Sequence, residues 1–288
     1  MEKKISRRDF LKGSVAGTAS LAAAGLLASC AAKPDPTPTA NNEVPVTPPP
    51  ASYDKEVDFL IVGYGLAGEA AALEANDIDP NAKICVLEKM PERLAGGNSI
   101  ASGQTVILPN PDDLDTFRRY LYACSQPNPI KDEYLDYLVK EFAEQGEWIQ
   151  GTVEKVDYEF GYVGGGPINW GSLVTEFPDL DGASFSGCSS HVRKKGATFE
   201  NGGVWHGFDL AVRARNNIEL CFETAFKSLI QDADGKVLGV VATDPSGKEF
   251  TIGSQKGVVL ACGGYENNLE MQRDFHGMDK VYTGGTPG

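Results

Sequence analysis

The 288-residue sequence lacks a basic excess: 26 Lys and Arg face 40 Asp and Glu, for a formal net charge of −14. No basic patch interleaved with aromatics offsets that balance, which argues against nucleic acid as a partner. The six cysteines form no C-x-x-C pair, no haem-attachment motif and no metal-ligand spacing, so no metal is expected. No iron–sulfur motif and no internal repeat is present. The chain also lacks a strongly apolar run of roughly 20 residues, the length a spanning helix needs. Cys85, Cys221 and Cys262 each lie in an apolar strand-like run and read as small buried hydrophobes.

What the N-terminus does contain is a processing pattern. Arg7-Arg8 precede Phe10 and Leu11, and a mildly apolar Gly/Ala/Leu stretch follows from Val15 to Ala28. This resembles a twin-arginine export signal, a route for proteins already folded around a cofactor. Leu27-Ala28-Ser29-Cys30 resembles a bacterial lipobox, with Cys30 as the lipidated first residue of the mature protein. The expected location is therefore the extracytoplasmic face of a bacterial membrane, by lipid anchor. Folding in a reducing cytoplasm before export agrees with the missing disulfide framework. Residues 31–52, rich in Pro, Thr, Asn and Ala, read as an extended tether, and residues 53–288 as the folded body.

The folded body opens on a strand, Val57–Val62, that enters Gly63-Tyr64-Gly65-Leu66-Ala67-Gly68. A helix is predicted over Leu66–Ala75, and a second apolar run, Lys83–Leu87, ends on Glu88. Strand, glycine turn, helix, strand and acidic residue in this order form the dinucleotide-binding fingerprint of a βαβ unit. Gly63 permits the tight turn, Gly65 lets backbone approach a pyrophosphate, and Gly68 allows close helix–strand packing. The helix N-terminus favours the anion, and Glu88 can accept hydrogen bonds from a ribose. These residues leave open FAD or NAD.

Further along, helices are predicted over Asp112–Cys124 and Asp132–Gln150, the latter from Leu135, Leu138, Val139 and Phe142 at helical spacing. The glycine-rich middle, residues 161–203, gives little periodicity. Order returns at Asn217: Ile218–Glu223, Phe226–Asp232, Lys236–Thr243 and Glu249–Ile252 read as strands, the later ones antiparallel across Asp234-Gly235 and Pro245–Lys248. Gly257–Gly264 is a wholly apolar strand ending in glycines, expected to be buried on both faces. The predicted class is α/β, a Rossmann-like domain with a parallel sheet and a small antiparallel β-meander.

A second glycine-rich loop, Leu94–Gly103, follows Glu88-Lys89, and the Val258–Gly264 strand has the late Ala-x-Gly-Gly ending of two-part FAD domains. Together G-Y-G-L-A-G, L-E-K, G-G-N-S and V-V-L-A-C-G-G-Y-E-N-N resemble the fumarate reductase and succinate dehydrogenase flavoprotein family, which includes 3-ketosteroid dehydrogenases and exported enone and enoate reductases. The resemblance runs from about Val57 to the C-terminus. It implies FAD as cofactor, with Gly63, Gly65, Ala67 and Gly68 along the pyrophosphate and Glu88 on the ribose. It further implies Lys89, Gly97, Asn98 and Ser99 near the cofactor, and Ser102 and Gly103 near the isoalloxazine. Phe226 falls where backbone contacts adenine, and Ala261, Gly263 and Gly264 flank the cofactor from the closing strand. Two departures stand out: the loop after Asn98 is one residue shorter than is typical, and Gln104 replaces a common glycine.

The family's later Thr-Gly-Asp-Gly turn, capping domain and substrate-handling Arg and His residues have no counterpart before Gly288, so the expected fold is incomplete and catalytic residues are unassigned. His191, His206 and His276 match no family motif and read as core or solvent-facing. The favoured expectation is the FAD-binding portion of an exported oxidoreductase that reduces or desaturates an activated C=C bond of a small enoate or enone, served by an unidentified electron donor. A truncated, non-catalytic flavin-binding lipoprotein and an NAD-dependent dehydrogenase are the alternatives.

Overall fold

In a computed structural model of the chain, residues 47–103, 105–162 and 166–278 are described. The segment read as an export signal, Cys30 and Gln104 lie outside these residues. Strand β1 (Lys55–Val62) pairs in parallel with β2 (Ile84–Leu87), in register from Phe59 opposite Ile84 to Val62 opposite Leu87. Between them runs helix α1 (Leu66–Ile78), three residues longer than its apolar pattern suggested. Strand β6 (Ile218–Cys221) continues the parallel ladder outside β2.

The other half of the sheet is antiparallel. β7 (Ala225–Gln231), β8 (Val237–Thr243) and β9 (Glu249–Leu260) form the expected meander, joined edge to edge with the parallel part in the order β6-β2-β1-β9-β8-β7. Two runs expected as separate strands are one: β9 pairs with β8 through Gly253 and with β1 up to Leu260, with a register shift between Val57 and Phe59. Beyond Gly253 its described ladder continues with β1 alone. The expectation of burial on both faces fails there, because Val259 and Leu260 are 41% and 53% exposed, and Cys262 is exposed as well. Thr47, inside the segment read as tether, bridges Ile230 of β7, and its Oγ1 lies 3.1 Å from Ser228 Oγ.

The apolar end of β1, Phe59–Val62, is explained by having a core on each side. A strand's side chains alternate between faces, so Ile61 joins a cluster with Leu73, Ile84 and Val86, while Leu60 and Val62 join Cys85, Leu87, Val240 and Ile252. The first cluster is closed by helix α5 (Gly203–Arg213), which presents Trp205, Phe208, Ala211 and Val212. Burial of each such large apolar side chain contributes about 1.5–3 kcal/mol.

The middle of the chain supplies a second, three-stranded antiparallel sheet, ordered β3 (Val106–Pro109), β5 (Gly187–Lys194) and β4 (Tyr158–Tyr162). A short helix α2 (Gly97–Ala101) precedes it. Helices α3 (Leu114–Cys124) and α4 (Asp132–Val153) pack around Phe117, Tyr120, Leu135 and Phe185. The predicted start of α3 at Asp112 is instead a 3-10 turn, where Asn110 accepts from the Asp112 amide at 3.1 Å. Helix α6 (Leu269–His276) ends the described chain. Among the described residues no helix is long and apolar enough to cross a membrane.

Candidate cofactor site

The three fingerprint glycines sit in three different steric situations. Gly63 has φ +103°, and a Cβ there would meet the Ala261 carbonyl oxygen at 2.3 Å. At Gly68 a Cβ would lie 1.9 Å from the Gly63 carbonyl oxygen. Both are therefore fixed by protein contacts. At Gly65 the nearest atom to an added Cβ is Ser99 Oγ, at 3.5 Å, so the protein itself leaves room there. Gly65 is the N-cap of α1 and provides no side-chain cap; the Leu66 amide donates to Ser99 Oγ at 3.0 Å. The helix's positive end thus faces an open glycine, an arrangement suited to a phosphate.

Glu88 is buried, yet both carboxylate oxygens are held. Oε2 accepts from the Tyr64 amide at 3.0 Å and Oε1 from the Met90 amide at 2.8 Å. Each oxygen keeps a further acceptor lone pair, which is what a vicinal ribose diol requires. The Glu88 backbone is also clamped, its amide donating to the Cys221 carbonyl at 2.9 Å and its carbonyl accepting from the Thr224 amide at 2.9 Å.

Helix α5 braces both glycine turns. Trp205 Nε1 donates to the Tyr64 carbonyl at 3.1 Å, and a Cβ on Gly96 (φ +111°) would meet the Trp205 ring at 3.0 Å. The Tyr64 hydroxyl donates to Asp209 Oδ1 at 2.7 Å, and Arg213 Nε donates to both Asp209 oxygens at 2.8 and 2.9 Å. Burial, followed by the charges of Glu69 and Asp209, pushes the Tyr64 phenol far up, so it stays a donor. Glu69, on the first turn of α1, is completely buried, and neither oxygen has a hydrogen-bond partner among the described residues. Burial and the Asp209 charge raise its carboxyl well above the usual range, against the opposing pull of Arg213.

The two glycine turns, Glu88 and the end of β9 enclose a cavity of about 470 Å³. Its wall carries Gly63, Gly65, Ala67, Glu88, Lys89, Gly97, Asn98, Ser99, Phe226, Ala261, Gly263 and Gly264. Three of the expected residues stand off it. Gly68 is buried at the α1–β1 contact, where its lack of a side chain serves packing. Ser102 and Gly103 are exposed, and the Ser102 carbonyl accepts from the Gly202 amide at 2.8 Å, because α2 ends there and the chain turns towards α5. None of the histidines reaches the wall: His191 Nε2 lies 3.1 Å from Arg193 Nη1, His276 Nε2 lies 2.8 Å from the Tyr265 hydroxyl, and the His206 ring packs edge-on against Trp205. Among the described residues no three His, Cys, Asp or Glu could hold a metal ion.

Sequence reasoning missed Trp205, Asp209 and Arg213. Their signal is the apolar spacing Val204, Trp205, Phe208, Ala211, Val212, which marks one helical face.

A wide glycine-walled cavity with an anion-favouring helix end and a doubly held carboxylate fits an adenine dinucleotide, and the comparisons name which. A family model described as an FAD binding domain matches residues 58–285, and the chain belongs to that family. FAD is accordingly the cofactor of this domain. Digoxin reductase of Eggerthella lenta is 28% identical across 98% of this chain and 50% of its own length. Urocanate reductase of the same organism is 27% identical across 79% of this chain and 35% of its own. The chain thus spans half or less of these relatives. A flavocytochrome c3 fumarate reductase in its open conformation shares the fold, with a TM-score of 0.59 and 20% identity over 82% of this chain and 39% of that one.

Proposed function

We propose that the chain is the FAD-binding portion of an exported flavin-dependent oxidoreductase that reduces an activated C=C bond. The observation that carries this is the convergence of both glycine turns, Glu88 and the Ala261–Gly264 segment on one cavity. Bound FAD supplies hydride transfer to or from a carbon centre, chemistry that side chains do not provide. The chain's own residues bind and orient. Gly65 and the α1 N-terminus receive the pyrophosphate, Glu88 the adenosine ribose, Phe226 the adenine through its backbone, and Asn98, Ser99, Ala261, Gly263 and Gly264 the flavin half.

The substrate class is a small enoate or enone, in which a carbonyl or carboxylate polarises the alkene. The relatives named for urocanate and digoxin support it, since they are called reductases. Arg7-Arg8 and Cys30 support export and lipid anchoring, which would place the flavin outside the cytoplasmic membrane with an electron donor of its own. The residues assigned here hold cofactor and none is assigned to substrate. This chain alone, loaded with FAD, reduced and mixed with urocanate or an acrylate, should therefore hold its reduced-flavin spectrum. Rapid reoxidation by the alkene, with recovery of the saturated product, would contradict that division of labour.

A further inference from the structure

Behind the ribose-binding carboxylate, on the face of the sheet away from α1 and α5, two cysteines meet. Cys85 of β2 and Cys221 of β6 have sulfurs 3.5 Å apart. Lys55 Nζ reaches both, at 3.5 Å from Cys85 Sγ and 3.8 Å from Cys221 Sγ. Lys55 is itself fixed by Glu219, whose Oε1 lies 2.6 Å from Nζ and 3.5 Å from Cys221 Sγ. The two thiols are not equivalent. Cys85 is fully buried, whereas Cys221 is half-buried on the outermost strand of the described sheet.

We propose that Cys221 and Cys85 form a reversible dithiol–disulfide pair oxidised by hydroperoxides, with Cys221 the reacting thiol and Cys85 the resolving one. Reactive cysteines are thiolates in electropositive, partly exposed surroundings, and those that sense oxidants sit beside a second thiol. The hydrogen bond from Cys85 lowers the Cys221 thiol from its ordinary value, with Lys55 adding to this against burial and the neighbouring Glu219 carboxylate. The same hydrogen bond, then burial, raises Cys85, which keeps its proton. The Cys221 thiolate attacks one peroxide oxygen and the O–O bond breaks. That oxygen becomes a sulfenic hydroxyl, while the departing hydroxide or alkoxide takes a proton from Lys55, which is recharged from solvent. Cys85 sulfur then displaces the hydroxyl, forming S–S and breaking S–O, and water leaves with the Cys85 proton. The thiols lose two electrons and the hydroperoxide gains them.

Cys85 stands opposite Glu219 and Cys221 opposite Leu87 in the β2–β6 ladder, so closing the sulfurs from 3.5 Å to about 2.05 Å requires β6 to slide along β2. As an edge strand with β2 as its neighbour in the sheet, β6 can yield. The Cys221 carbonyl accepts the Glu88 amide, so closure displaces the strand that steadies the ribose carboxylate.

The test is peroxide treatment of the full chain saturated with FAD, followed by alkylation, intact mass and peptide mapping; the readout does not depend on flavin binding. The expected result is loss of two hydrogens, a linked Cys85–Cys221 peptide and reversal by dithiothreitol. In Cys85→Ser, Cys221 should accumulate as a sulfenic acid that dimedone traps. In Lys55→Met, oxidation should slow about three- to tenfold, following the smaller thiolate fraction. The proposal is overturned if exposed Cys124 is oxidised while Cys221 is still alkylated, or if wild-type Cys221 proceeds to sulfinic acid while Cys85 remains a free thiol.

Discussion

The Tyr64 hydroxyl donates to Asp209 across 2.7 Å, linking the middle of the Gly63–Gly68 turn to a helix 145 residues later in the chain. Tyr64 also gives its amide to Glu88 and takes the Trp205 indole on its carbonyl. One residue between two fingerprint glycines therefore sets the position of the turn, the acidic partner and the bracing helix.

Replacing Asp209 with Ala removes the acceptor of a buried phenol and leaves Arg213 with Glu92, its other partner at 2.7 Å. The expected loss is about 2–4 kcal/mol in urea unfolding, most of it from polar groups left unpaired. Tyr64→Phe should cost less, about 1 kcal/mol, since Asp209 keeps both Arg213 contacts. Equal losses from the two variants would contradict this reading of the link.

The fingerprint glycines should separate folding from binding. Gly65 has an ordinary extended backbone, φ −85° and ψ −177°, and its Cβ position is open. Gly65→Ala should leave the melting temperature of the FAD-free protein nearly unchanged while weakening FAD by about ten- to a hundredfold, the equivalent of about 1.4–2.8 kcal/mol. Gly68→Ala drives a Cβ against the Gly63 carbonyl and should lower stability by about 1–3 kcal/mol, measurable without cofactor.

Glu69 gives the fold a pH dependence whose sign follows from its raised carboxyl. Unfolded, it titrates near 4.3; folded, it holds its proton to higher pH. Between those values the native state binds more protons than the unfolded state, so stability falls as pH rises. Its favourable contribution is complete below about pH 4.3 and is lost progressively towards the raised folded value. Glu69→Gln, neutral throughout, should be more stable than wild type at pH 8 and similar at pH 4. Thermal melts across that range check this, and an advantage confined to acid pH would contradict it.

The proposed export rests on Arg7 and Arg8. Changing both to Lys should retain the protein in the cytoplasm, and fractionation with immunoblotting reads the outcome. Unchanged export would remove the twin-arginine assignment.

Much of the cofactor site was legible because its parts are local. Gly63 to Glu88 form one βαβ unit, and turn, helix and strand each obey short-range rules. The bracing residues were not legible, because Trp205 and Asp209 matter through contacts with Tyr64 that only the folded chain creates. Glycines at 203 and 207 obscured the helix that carries them. Gly203 is small because a Cβ would meet the Val192 carbonyl at 1.9 Å, and Gly207 because one would meet Val153 at 3.0 Å, so both reflect close packing. The β3-β5-β4 sheet pairs Val106 with Ser190, a long-range contact with no local pattern to announce it. Cys221 packs against the second core as expected but is only partly buried, and its apolar neighbours in sequence do not reveal Lys55 arriving from another strand.

The most direct test of the account is titration of the purified wild-type chain with FAD and, separately, with NAD, followed by calorimetry. Membership of the FAD-binding family predicts one FAD per chain, with a Kd on the order of micromolar or tighter, and no saturable NAD binding. Saturable NAD binding with no uptake of FAD would contradict it.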